Sequence, residues 1–134
     1  MKKEKRNYLL DTHALIFWAQ KETISPDFIK FLDKLGKEGN LLMSSASIWE
    51  IALLKKKGRI DIENLHQWKN ALLTYSPVKM IEPSVSDMID STLLPDHHKD
   101  PFDRLFIAQA INNDALLVTR EKMISMYTVE TFWQ

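Results

Sequence analysis

Cysteine is absent from the 134-residue chain. That excludes disulfides, thiolate zinc sites, iron–sulfur clusters and thiol nucleophiles, and it points to a reducing, cytoplasmic setting. Glycine is scarce: the three present, Gly36, Gly39 and Gly58, form neither a dinucleotide fingerprint nor a phosphate-cradling loop. An excess of one charge is also missing. Eighteen basic and eighteen acidic residues give a formal net charge of +0, so composition predicts no unspecific attraction to nucleic acid or membrane. No apolar run approaches the roughly 18 residues of a membrane span. The start, Met1-Lys-Lys-Glu-Lys-Arg6, imitates a signal peptide's charged region, but Asp11 and His13 interrupt the apolar stretch behind it and no small-residue cleavage site follows. What the chain does have is 45% hydrophobic residues, which at this length can bury about two-thirds of the unfolded surface. One domain spanning 1–134 is expected.

Short apolar runs alternate with helical patterns. Tyr8–Leu10 reads as a strand feeding a buried helical turn over Ala14–Ala19. Ser25-Pro26 opens a helix with Phe28, Leu32 and Leu35 on one face. Leu41–Met43 is a second strand, and Ser47-Ile-Trp-Glu50 matches a capping box that opens a helix through Leu54, closed by Lys55-Lys-Lys57 and Gly58. A helix is predicted over Ile62–Tyr75 and a strand over Val78–Ile81. Ser84–Leu94 carries Val85, Met88, Ile89 and Leu93 at helical spacing. Asp100-Pro101 begins the most apolar helix, which leads into the strand Ala115–Val118. A short helix from Thr119 and a strand over Tyr127–Phe132 complete the chain. Continuous apolar strands between helices are the pattern of a parallel sheet covered on both faces. The expected fold is a three-layer α/β/α sandwich with a short parallel sheet.

Four acids occupy equivalent places in this plan: Asp11 after the first strand, and Glu50, Asp103 and Glu121 in the first turns of helices. Taken singly, each reads as a helix cap or a first-turn charge. Taken together, all four fall on the carboxyl edge of the sheet, where open α/β folds bind ligands. Several carboxylates gathered without cations raise one another's pKa values. A divalent cation relieves that repulsion, and an oxygen-only donor set suits Mg²⁺ or Mn²⁺, as in phosphodiester cleavage.

Leu9-Leu-Asp11-Thr-His-Ala14, Ser44-Ser-Ala-Ser-Ile-Trp-Glu50-Ile, His98-Lys-Asp-Pro-Phe-Asp103-Arg-Leu-Phe-Ile-Ala-Gln-Ala110 and Leu117-Val-Thr-Arg-Glu121 resemble, in order, the acidic motifs of the PIN domain. Within it they are most similar to the VapC-like ribonuclease toxins of toxin–antitoxin modules. The resemblance implies a Mg²⁺- or Mn²⁺-dependent endoribonuclease, with Asp11, Glu50 and Asp103 as principal metal-binding and catalytic carboxylates. Glu121 stands at the fourth acidic position, where the family more often has aspartate. Thr12 and Thr119 match small hydroxyl positions that would donate to those acids. RNA as substrate, a cognate antitoxin and a homodimeric state are further implications of the resemblance.

Asp100 is assigned the helix cap, because Pro101 follows it. His97 and His98 show no zinc-ligand spacing and are read as loop residues. His13, Lys55 and Arg104 are candidate RNA contacts. For Lys55 a solvated helix end, and for Arg104 an ion pair with a carboxylate, are the competing assignments. The tryptophans, Trp18, Trp49, Trp68 and Trp133, are expected mostly in the core. Competing functions are a PIN-type nuclease outside toxin modules, a degenerate PIN domain that only binds a partner, and a phosphoryl-accepting signalling domain. The last wants adjacent acids after strand one and a lysine after the fifth strand, and neither is present.

Overall fold

The computed structural model describes residues 6–134; the signal-like start falls outside the described residues except for Arg6. Five strands, β1 (Asn7–Leu10), β2 (Leu41–Ser44), β3 (Lys79–Ile81), β4 (Ala115–Val118) and β5 (Thr131–Phe132), form one sheet in the order β3-β2-β1-β4-β5. All neighbouring pairs are parallel. Strand order runs outward both ways from β1, so β1 marks the topological switch. The helices are α1 (Thr12–Gln20), α2 (Pro26–Lys37), α3 (Ser45–Lys56), α4 (Leu65–Tyr75), α5 (Val85–Leu93) and α6 (Pro101–Asn112), with a short 3₁₀ helix over Lys122–Met126.

The strands read as continuous apolar runs because the sheet is covered on both faces. Leu10, Leu41, Met43 and Val118 pack under α1 and α2, whereas Leu9, Leu42 and Leu117 pack under α6 with Phe106, Ile107 and Ala110. This is the expected three-layer α/β/α arrangement.

Local chemistry explains the element boundaries and several departures from the sequence reading. Asp11 accepts from the Ala14 N–H and starts a complete nine-residue α1 where a single turn was expected. Ser25 caps α2 with Pro26 at its first position. Helix α3 is capped by Ser44, whose Oγ accepts from Ala46 N–H at 3.1 Å, so Ser47 does not begin it. Ser47 instead lies inside α3 and accepts a hydrogen bond from the Thr12 hydroxyl, 3.1 Å away. Asn64 caps α4, which leaves Ile62 as a buried residue of the preceding loop. β3 lacks Val78, and β5 is shorter than expected because the 3₁₀ helix and its exit loop take up the preceding residues.

Helix α5 holds the largest surprise. Its apolar stripe faces outward, with Val85 69% and Leu93 75% exposed. Its polar side is the docked side. Asp87 accepts from the Asn112 amide of α6 at 2.8 Å, and the Arg104 guanidinium reaches the Ser91 carbonyl at 3.1 Å. Trp49 departs from the core expectation too: it is 63% exposed and rests edge-on against Phe102 at 5.0 Å. Trp18, by contrast, is 2% exposed. Among the described residues no helix is long and apolar enough to cross a membrane.

Candidate active site

The carboxyl edge of the sheet opens into a recess of about 270 Å³ lined by Asp11, His13, Glu50, His98, Asp100, Asp103, Arg120 and Glu121. All four predicted acids therefore meet, although they come from β1, α3, α6 and the loop after β4. Asp11 leaves the central strand at the switch point, where its N–H still donates to Val118 O at 3.1 Å. Glu50 projects from the second turn of α3, too far into the helix to cap it. Asp103 is the third residue of α6 and gives its N–H to Asp100 Oδ1 at 2.9 Å. Glu121 caps the 3₁₀ helix, accepting from Met123 N–H at 3.2 Å. Asp100 thus performs the capping expected of it while also lining the recess.

The chain contains an internal reference for what a capping acid looks like. Ser84 and Asp87 form a reciprocal capping box at α5, with bonds of 3.0 and 2.8 Å. Burial raises the Asp87 pKa, but hydrogen bonds from the Ser84 N–H, the Asn112 amide and the Ser84 hydroxyl outweigh it and hold the carboxyl below its ordinary value. The recess acids move the other way. Burial pushes Asp11 up against hydrogen bonds from the Thr119 hydroxyl and Ala14 N–H and the nearby charges of His13 and Arg120. Burial also raises Glu50, opposed by the Thr12 hydroxyl and reinforced by Asp100 and Asp11. Burial pushes Asp103 up to about 7, opposed by the His98 hydrogen bond and reinforced by Asp100 and Asp11. Acids that served only as caps would be stabilised as anions, as Asp87 is. Asp11, Glu50 and Asp103 are not, and perturbation of this kind clusters at functional sites.

Thr119 lies against Asp11 and Thr12 against Glu50, each opposing the rise in that carboxylate's pKa, while the Thr12 hydroxyl proton goes to Ser47 Oγ. His98, read as a loop residue, is in the recess with its Nε2 2.7 Å from Asp103 Oδ2. Its backbone is held from elsewhere: the N–H donates to Tyr127 Oη at 2.9 Å, and the carbonyl accepts from Arg104 at 3.1 Å. Arg104 is neither a free phosphate ligand nor a partner of the recess acids. Its guanidinium is engaged by the carbonyls of Ser91, Thr92, Leu94, Pro95 and His98, with the exposed Asp96 at 3.6 Å. Lys55 is exposed and reaches the Glu63 carbonyl at 3.3 Å, away from the recess. His13 lines both the recess and a wider groove that continues past Glu50 and Phe17 to Lys57 and Arg59.

As donors, the recess residues fit a hard divalent cation: oxygen ligands predominate, and the buried carboxylates lack an arginine or lysine ion pair among the described residues. Their side chains are not drawn around one point. No group of three His, Asp or Glu among the described residues is close enough to hold an ion as it stands.

Residues 8–128 match the PIN domain model, and the chain belongs to that family. Solved structures of similar fold include VapBC2 from Rickettsia felis bound to a DNA fragment from its promoter, at 19% identity and a TM-score of 0.72, covering 95% of this chain and 98% of that one. FitAcB from Neisseria gonorrhoeae is similar at 15% identity and a TM-score of 0.67, covering 93% and 96%. A protein from Pyrobaculum aerophilum is similar at 19% identity and a TM-score of 0.60, covering 94% and 83%. No curated protein matches the chain.

Proposed function

We propose that the chain is a single nuclease domain that hydrolyses RNA phosphodiester bonds with Mg²⁺ or Mn²⁺, and that it acts as the toxin of a toxin–antitoxin module. The observation that carries this reading is the gathering of Asp11, Glu50 and Asp103 in one recess, each with its pKa raised mainly by burial. Such an arrangement destabilises the fold unless a cation offsets it, which is the expected cost of a site that binds one. Asp11, Glu50 and Asp103 would hold the metal, with Glu121 reaching it at the rim. When bound, a divalent ion supplies charge that activates water and stabilises the leaving oxygen of a phosphodiester.

The chain's own residues set the geometry for that chemistry. One oxygen of Asp11 is fixed by the first turn of α1, and the Thr119 hydroxyl steadies the carboxylate. Thr12 lies beside Glu50 and opposes the rise in its pKa. His98 occupies Asp103 Oδ2 and so fixes the plane of that carboxylate. A cognate antitoxin belongs to the same proposal, supported by the similarity of the fold to VapBC2 and FitAcB, and so does a homodimeric state, which the resemblance to VapC-like toxins implies.

A second reading, a PIN domain that only binds a partner, is favoured by the commitment of Glu121 to Met123 N–H. The two separate in one assay: purified protein and Asp103→Asn, made in parallel, incubated with a labelled structured RNA pool in Mg²⁺, Mn²⁺ or chelator. Metal-dependent cutting that disappears in the variant supports the nuclease. Equal behaviour of the two proteins in all three conditions moves the binding-only reading to first place.

A further inference from the structure

Arg120 follows the carboxyl end of β4 and lines the recess, with its Cζ 4.7 Å from the centroid of the Phe17 ring. It is exposed, and among the described residues its side chain makes no hydrogen bond and no ion pair. This is an unusual situation for a guanidinium beside several carboxylates. The nearest acids are otherwise engaged: Asp11 by the Ala14 N–H and Thr119, and Glu121 by the Met123 N–H. Arg104, one helix away, shows the opposite case, with its donors consumed by backbone carbonyls.

Stacking on an aromatic ring uses the face of a guanidinium and leaves the N–H donors on its edge. Those donors form a planar fork that matches two phosphate oxygens, and the charge is permanent at any working pH. The position is equally specific. Phe17 lines the groove that runs past Glu50 toward Lys57 and Arg59, whereas Arg120 lines the carboxylate recess. The stacked pair therefore stands where groove and recess join. A polyanion entering a recess lined by acids needs a fixed cation at that junction, because the acids repel it.

We infer that Arg120, held over Phe17, binds a backbone phosphate of the RNA as the strand passes from the groove into the carboxylate recess. The inference rests on the nuclease reading and adds a substrate-binding residue to it. The test is fluorescence anisotropy of a labelled, mixed-sequence single-stranded RNA in chelator, so that no strand is cut, with salt varied. Each phosphate contact contributes about 0.7 to the magnitude of the slope of log K against log salt for single strands. Arg120→Ala is expected to lower that slope by about 0.7 and to weaken binding by about tenfold at low salt. Phe17→Leu keeps the charge and should keep the slope while weakening binding about threefold, through loss of the stacking platform. A role confined to steadying Asp11 electrostatically would leave the slope of Arg120→Ala unchanged, and that result overturns the inference while leaving the nuclease reading intact. Failure of the wild-type protein to bind RNA in chelator overturns the inference, whereas the nuclease reading stands or falls on the metal-dependent cleavage assay.

Discussion

Asp103→Asn should make the metal-free protein more stable near neutral pH, and the size and pH range of the gain follow from the recess. In the folded protein the Asp103 carboxyl holds its proton up to about 7, against an ordinary 3.8. Between those values the folded state binds a proton that the unfolded state has lost, so stability falls as pH rises. The loss begins near pH 4 and is complete above about pH 7. About three pKa units at 1.36 kcal/mol each set a ceiling of about 4 kcal/mol. Two smaller terms act on the variant. An acid at the third position of α6 loses a favourable interaction with the helix N-terminus, costing about 0.3–1 kcal/mol, whereas the hydrogen bond with His98 survives because asparagine retains an acceptor oxygen. The net expectation is a variant about equal to wild type at pH 4 and about 2–3 kcal/mol more stable at pH 8. Urea unfolding in chelator at a series of pH values reads this directly, as a midpoint difference at constant m that widens with pH. Parallel curves from pH 4 to 8, or a variant less stable than wild type at the alkaline end, would refute the assignment of Asp103 as a carboxylate strained by its surroundings.

Other outcomes follow from named contacts. Glu50→Gln should abolish cleavage with little loss of helix stability, because Glu50 caps nothing; circular dichroism and the RNA assay together check this. Ser84→Ala breaks the capping box of α5 and should cost about 1 kcal/mol while leaving cleavage intact, which makes it a control for acids of the opposite kind. Arg104→Ala frees carbonyls at the end of α5 and in the loop between α5 and α6 and should cost about 2–3 kcal/mol in urea unfolding, with faster amide exchange over residues 94–100. Excess Mn²⁺ should stabilise the wild type by about 2.7 kcal/mol at a hundredfold excess over Kd, and this gain should vanish in Asp11→Asn.

The fold was legible because its signals are local and repeat. Tyr8–Leu10, Leu41–Met43 and Ala115–Val118 are apolar on both faces, and each is followed or preceded by a helix with its own cap. The meeting of Asp11, Glu50, Asp103 and Glu121 was legible from topology, since a parallel sheet collects its helix starts at one edge. What escaped depends on contacts between distant residues. The capping-box pattern put the start of α3 at Ser47, and only the bond from Ala46 N–H to Ser44 and the one from Thr12 to Ser47 show that Ser47 belongs inside the helix. Nothing in His97-His98 says which imidazole returns to Asp103, because Tyr127 and Arg104 set the path of that loop. The stack of Arg120 on Phe17 joins opposite ends of the sequence. For α5, periodicity gave the helix but not its orientation, which the polar bonds of Asp87 and Arg104 decide.

In the proposed function the buried carboxylates are one cation site. Isothermal titration of Mn²⁺ into chelator-stripped protein tests it most directly, in wild type and in Asp11→Asn, Glu50→Gln and Asp103→Asn. Saturable binding by the wild type is expected, weakened in each variant, with proton release that grows as the pH is lowered below about 7, where Asp103 carries its proton. Absence of saturable binding in the wild type, or equal binding by all four proteins, would contradict that assignment.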